Sequence, residues 1–103
     1  MSADGSVHHD VDASRYEYAV DGQVLAVADY QRDDDRVLMH HTATDPAHRG
    51  QGIAARLVAG ALDDVRARGL SVIPSCWYVA EFIDGHPEYA DLLAVEPPPP
   101  LVR

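Results

Sequence analysis

Three groups of residues in this chain have types and spacings that could do chemistry. They are a cation beside two glycines (Arg49, Gly50, Gly52), a lone thiol with a tyrosine two positions on (Cys76, Tyr78), and a histidine late in an apolar strand (His41). The first group lies in the stretch His41 to Leu57, H-T-A-T-D-P-A-H-R-G-Q-G-I-A-A-R-L, where an apolar strand passes into an apolar helix. A helix start leaves its first N–H groups without partners and carries about half a positive charge. Gly50 and Gly52 have no Cβ, so the backbone there can come close to an anion, with Arg49 as a fixed cation beside it. The segment suits a phosphate; it would equally serve as a packing turn. Gly50, Gly52 and Ala55 also fit G-x-G-x-x-G/A, but that fingerprint needs an acidic residue about 20 positions on, and Leu70 to Ser75 holds none. No G-x-x-x-x-G-K-[ST] occurs, which excludes a nucleoside-triphosphate loop of that type.

The elements that must position these groups follow from periodicity. Tyr16, Tyr18 and Val20 alternate on one face of a strand, and Val24, Ala26, Ala28 and Tyr30 on one face of the next. Asp21-Gly22 suits a two-residue type I′ turn between them. The charged run Arg32 to Arg36 reads as a second hairpin loop. A third strand, Val37 to Thr42, puts Val37, Met39 and His41 on one side and Leu38, His40 and Thr42 on the other, so one histidine faces inward. His41 is then either a core histidine or a site residue. A helix from about Gly50 to Arg68 buries Ile53, Ala54, Leu57, Val58, Ala61, Leu62 and Val65, leaves Arg56, Asp63, Asp64 and Arg66 outside, and stops at Gly69. Leu70 to Pro74 reads as a short buried strand. Strand, helix and strand in this order imply a right-handed crossover with the two strands parallel, and ligands of open sheets bind outside the carboxyl ends of such strands.

That geometry brings the Arg49 to Ala54 loop and Ser75 to Tyr78 to one cleft. Ser75 can cap a helix starting at Cys76, whose thiol would sit in the first turn, where the helix end favours a thiolate. Cys76 could equally be a small buried hydrophobe. Glu81 and His86 could act as a base through water; the alternatives are a solvent-facing Glu81 and a His86-Pro87 pair that only turns the chain.

Arg49-Gly50-Gln51-Gly52-Ile53-Ala54 resembles the R/Q-x-x-G-x-G/A pyrophosphate loop of Gcn5-related N-acetyltransferases. H-T-x-x-x-P-x-x-R-G-Q-G-I-A, V-I-P-S-C-W-Y-V and H-P-E-Y resemble the small, single-domain branch of that superfamily, over about Tyr16 to Leu92. The resemblance implies an α/β fold of β-β-β-α-β-α order, with a mixed, mostly antiparallel sheet and a parallel, splayed strand pair at a coenzyme A cleft. It implies that Thr42, Ala43 and Thr44 line the pantetheine arm of acetyl-CoA, and that Arg49, Gly50, Gln51, Gly52, Ile53 and Ala54 hold the pyrophosphate. It makes Tyr78 a candidate acid for the departing thiolate, or else a wall of the cleft. Larger members carry two helices between their first strands that shape the acceptor site, and the Asp21-Gly22 hairpin leaves no room for them.

Composition bounds the rest. A chain of 103 residues with 47% hydrophobic content suits one compact domain. The formal charge is -9 and every cation is arginine, which argues against nucleic-acid and anionic-membrane partners. The negative field would favour a cationic partner such as an amine or a basic peptide, or would simply aid solubility. The single cysteine rules out an internal disulfide, and no signal peptide or 18-residue apolar span is evident, so the expected location is cytoplasmic. Met1 to Ala13 reads as a disordered segment whose His8-His9 pair lacks zinc spacing, so no metal is expected. Residues 14–95 form the domain, and 96–103 a proline-rich tail. The expected function is acetyl transfer from acetyl-CoA to an unidentified amine, by direct attack in preference to a relay through Cys76. A coenzyme A-binding module with little catalysis, and an interaction protein using the acidic surface and the proline tail, are the alternatives.

Overall fold

The computed structural model describes residues 5–94. The element order is β1 (Ser6–Asp10), β2 (Arg15–Val20), β3 (Gln23–Asp33), β4 (Arg36–Thr44), α1 (Ile53–Ala67), β5 (Ser71–Pro74) and α2 (Trp77–Asp84), with 3₁₀ turns at Pro46–His48 and Pro87–Leu92. The five strands form one sheet in chain order. The first four pair antiparallel, and β5 pairs parallel to β4 after the α1 crossover. The expected α/β fold with its parallel pair is present, preceded by one strand more than expected. The proline-rich tail lies outside the described residues.

The core is the layer between the sheet and α1. Leu57, Val58, Ala61, Leu62 and Val65 are fully buried on the helix face that the 3.6-residue period marks out. They meet Tyr16, Tyr18, Ala28, Val37, Met39 and Val72 from the strands. At about 1.5–3 kcal/mol for each fully buried Val or Leu, this interface is the main stabilising element. The helix ends as expected at Gly69, whose φ of +70° few side chains adopt. It begins at Ile53 instead of Gly50, because Gly50 and Gly52 take left-handed φ of +82° and +75°.

The Asp21-Gly22 turn has the two positive φ angles, +51° and +80°, that type I′ demands. Alternation fails at two β-bulges. Across β2 and β3, Tyr18 pairs with Ala26 but Ala19 with Val24, so Leu25 is the extra residue. It turns inward and Val24 outward, reversing the expected face of Val24. Across β3 and β4, Asp29 pairs with His41 but Tyr30 with Met39, so His40 is the extra residue. Beyond it the phase flips. Thr42 and Thr44 are half-buried, whereas His40, His41 and Ala43 are exposed, so neither histidine is a core residue.

The segment expected to be disordered contains β1. Its inward residues, Val7 and His9, read poorly as a strand because one of them is polar. Gly60 on α1 makes room for Val7, since a Cβ there would lie 2.6 Å from Val7 Cγ2. The His9 side chain is only 15% exposed and stacks on Tyr16 at a centroid distance of 4.2 Å. Its Nε2 is 2.6 Å from Tyr30 Oη. Nδ1 lies 3.2 Å from Asp64 Oδ2 in a geometry that makes no hydrogen bond, so the two form an ion pair only when the ring is protonated. Asp64, expected to face solvent, instead accepts from Tyr16 Oη and Arg68 Nε, both at 2.7 Å.

Burial holds the His9 imidazole below its ordinary pKa of 6.5, outweighing the Asp64 carboxylate that pulls the other way. Burial alone would raise the Asp64 carboxyl, but its bonds from Tyr16 and Arg68 take it below the usual range. Both shifts make the unfolded state bind protons more readily than the folded one, so both contributions are present at neutral pH and are lost on acidification. Thermal stability should start to fall as pH drops below about 6.5, where an unfolded histidine protonates. His9→Ala should cost about 1–3 kcal/mol at pH 7.5, since it strands the Tyr30 hydroxyl, and should flatten the first part of that acid limb. Thermal melts of both proteins from pH 8 to 5 check this, and an unaltered acid limb in His9→Ala would assign it to other groups.

Candidate functional site

Strand β4 pairs with β3 as far as Thr44, but its parallel pairing with β5 ends at Met39 and Pro74. Proline has no N–H to extend the ladder. The chain turns there, and the Cys76 amide donates to the Met39 carbonyl at 2.9 Å. The β5 side of His40 to Thr44 is thereby left without a strand partner. A cleft of about 800 Å³ opens in the gap. Its walls are the end of β4, the turn into α1, and the start of α2.

The cleft brings together most of the residues singled out from sequence. His41, Thr42, Ala43, Thr44, Arg49, Gly50, Gly52, Ile53, Ala54, Cys76 and Tyr78 all line it. Gln51 does not; it is exposed, with its Oε1 3.4 Å from His48 Nδ1. Trp77, within the Ser75 to Tyr78 segment expected there, lines the cleft as well, and His40 and His48 also line it and had not been assigned to it. His40 is there because the bulge swings it out of the strand's alternation. His48 is there as the last residue of the 3₁₀ turn that Asp45 caps, accepting from the Ala47 amide at 2.9 Å. Asp45 is itself tethered to the first bulge, its amide donating to the Leu25 carbonyl at 2.7 Å. The Asp45-Pro46 pair is the sequence signal that could have identified that turn.

At the start of α1 no side chain caps the free amides. A Cβ built on Gly50 or Gly52 would meet nothing within 4 Å. Both glycines therefore face open cleft, and the bare backbone is accessible to an anion as large as a pyrophosphate. Despite the net charge of -9, the described residues of the lining include no carboxylate; their charged or chargeable groups are Arg49, three histidines, Cys76 and Tyr78. The cleft is thus locally suited to a negative ligand.

Cys76 is the N-cap of α2 instead of lying in its first turn, and Ser75 does not cap the helix. The thiol is half-buried, with Sγ 3.6 Å from Thr42 Oγ1. Burial pushes its pKa up, but the Thr42 hydroxyl and the nearby amides of Val79, Tyr78 and Thr42 outweigh that and bring it below the ordinary thiol value. These helix amides act at a distance, since no hydrogen bond of ordinary geometry caps α2 through Sγ. Burial and, less strongly, Glu81 raise the Tyr78 hydroxyl, which stays a neutral donor at pH 7. The His86 ring stacks on Phe82 at 3.9 Å and its Nδ1 is 2.7 Å from the Phe82 carbonyl, so it anchors the turn after α2 and does not line the cleft.

Two solved structures resemble this fold. The NMR solution structure of a GCN5-like protein from Staphylococcus aureus superimposes with a TM-score of 0.67 at 18% identity, covering 92% of this chain and 93% of that one. The crystal structure of the ribosomal-protein-S18-alanine N-acetyltransferase from Escherichia coli gives a TM-score of 0.58 at 20% identity, covering 69% of this chain and 49% of that one. No curated protein matches the sequence. Residues 15–92 match the GCN5-related N-acetyl-transferase family, from β2 to the last 3₁₀ turn and including both helix starts at the cleft, and the chain belongs to that family.

Proposed function

We propose that the chain is an acetyl-CoA-dependent N-acetyltransferase that acts on an amine. The observation that carries this reading is the joining, in one carboxylate-free cleft, of an uncapped glycine turn with an unpaired length of strand and a half-buried thiol. In this reading the amides from Gly50 to Ala54 and the Arg49 guanidinium hold the pyrophosphate. The free edge of β4 from Thr42 to Thr44 hydrogen-bonds the pantetheine arm. That edge would also polarise the thioester carbonyl, where negative charge develops during acyl transfer.

The amine must reach the thioester unprotonated, so a base is needed. His41 stands exposed at the cleft and can take a proton directly or through water. Tyr78, neutral at pH 7, can protonate the departing thiolate. Two courses then remain for the acetyl group. An amine can attack the thioester directly, or the Cys76 thiolate can attack first and pass the acetyl group on. Direct transfer needs no special thiol, but the lowered pKa of Cys76 makes the relay chemically available.

The sequence has no lysine, so an acetyl group retained by the protein finds no ε-amine. Incubation with acetyl-CoA alone, followed by intact mass and by peptide mapping to separate Cys76 from the α-amine, therefore reads Cys76 without lysine background. The expected result is no stable adduct, with Cys76→Ala keeping coenzyme A affinity and most of its turnover. A stoichiometric acetyl group on Cys76 that chases onto an added amine would establish the relay instead.

Coenzyme A binding has its own test. Gly52→Ala puts a methyl group into open cleft at a left-handed φ, at a folding cost of about 1–2 kcal/mol. Calorimetry should show coenzyme A affinity falling at least about tenfold while the variant still melts cooperatively, because backbone approach is blocked. Unchanged affinity in the folded variant would remove the pyrophosphate from this loop.

A further inference from the structure

Helix α2 enters the cleft with its first residue and carries an unpartnered face away from it. Trp77, Ala80, Glu81 and Asp84 stand at i, i+3, i+4 and i+7 and are all exposed, so they form one stripe of about 10 Å along the outside of the helix. Trp77 is 73% exposed, an unusual state for the largest side chain, and it lines the cleft mouth edge-on to Tyr78. Glu81 and Asp84 take part in no ion pair among the described residues, and α2 carries no cation. Beside the stripe lies a second cavity of about 300 Å³, with Ile83 and Leu93 in its lining and Asp84 at its rim.

An aromatic face followed by two carboxylates attracts cations, the first through the ring and the others by charge. The groove beside them asks for an apolar group. A small aliphatic polyamine would match the charges but leave the groove empty. A second copy of this chain would bring another charge of -9 against the stripe. A polypeptide can supply basic and apolar side chains in alternation.

We propose that the stripe Trp77, Ala80, Glu81 and Asp84 is the acceptor-docking surface, and that it takes an extended basic polypeptide segment that places an apolar side chain in the adjoining groove and delivers an amine to the cleft. The proposal rests on the acetyltransferase reading for its chemistry but not for its binding. Trp77 lines both the stripe and the cleft mouth, and Glu81 stands one helical turn from the cleft-lining Tyr78, so the stripe adjoins the cleft.

Trp77 is the only tryptophan, so its fluorescence reports occupancy whether or not transfer takes place. The experiment titrates a lysine peptide flanked by arginine and leucine into the coenzyme A-saturated protein, beside the same peptide with glutamate in place of arginine and beside a free polyamine. The basic peptide should shift the emission and bind about tenfold tighter than either comparison. Added salt should weaken it. Asp84→Arg, an exposed change at a helix end that favours cations, should weaken the basic peptide about tenfold and leave coenzyme A affinity unchanged. In a parallel incubation with acetyl-CoA in place of coenzyme A, peptide binding without acetylation of its lysine would support the docking surface while counting against the transferase reading. Equal affinity for basic and acidic peptides, or for the polyamine, overturns the proposal. So does an unchanged Trp77 emission, which is the result expected if the groove is filled from within the chain.

Discussion

Backbone pairing along β4 is the constraint on which the cleft depends. The strand is hydrogen-bonded to β3 over nearly its whole length but to β5 only through Met39, because Pro74 offers no amide and the chain leaves the sheet there. Polar backbone groups away from water need partners. Those of His40 to Thr44 on the β5 side have no strand partner and are open to solvent or a ligand. The single bond from the Cys76 amide to the Met39 carbonyl pins the point of divergence. It also sets the N-cap of α2 beside Thr42.

The glycine turn reaches the same cleft through a different set of forces. Helix α1 is held by an apolar face against five strands, and that face begins at its first residue, the buried Ile53. Its first amides are then presented by a fixed element, which is what anion binding without a side-chain cap requires. The two bulges serve the same end. That at Leu25 offers the carbonyl that tethers Asp45, and that at His40 turns Thr42 and Thr44 toward the cleft side of the strand. Bulges recur next to active sites because one extra residue re-aims every side chain beyond it.

At the other end of α1 the structure depends on a polar cluster. His9, Tyr16, Tyr30, Asp64 and Arg68 tie β1 to the helix through hydrogen bonds made in a partly dry setting, with His9 Nδ1 alone left without one. Arg66 adds a second clasp on the same helix, donating to both Asp91 oxygens and the Glu88 carbonyl and so holding the last 3₁₀ turn. The protein thus has a charged, hydrogen-bonded end and an open, carboxylate-free end, with the apolar layer between them.

By itself the sequence determined the elements whose signals are local. Asp21-Gly22 specified its hairpin because few residue pairs tolerate two positive φ angles, Gly69 marked the end of α1, and the 3.6-residue period named the buried helix face. The order strand, helix, strand implied the parallel pair and hence a cleft at its carboxyl ends. Tertiary structure decided what depends on pairing between distant segments. Leu25 and His40 became bulge residues through the partner strand's register, which alternation within one strand does not record, and so His41 came to the surface. β1 formed because Gly60 admits Val7 and because Tyr16, Tyr30 and Asp64 surround His9, none of which is adjacent to it in sequence. Cys76 became a cap instead of a first-turn residue because the Met39 carbonyl took its amide. These outcomes share one physical reason: each is a hydrogen bond or a packing contact whose two halves lie far apart in the chain.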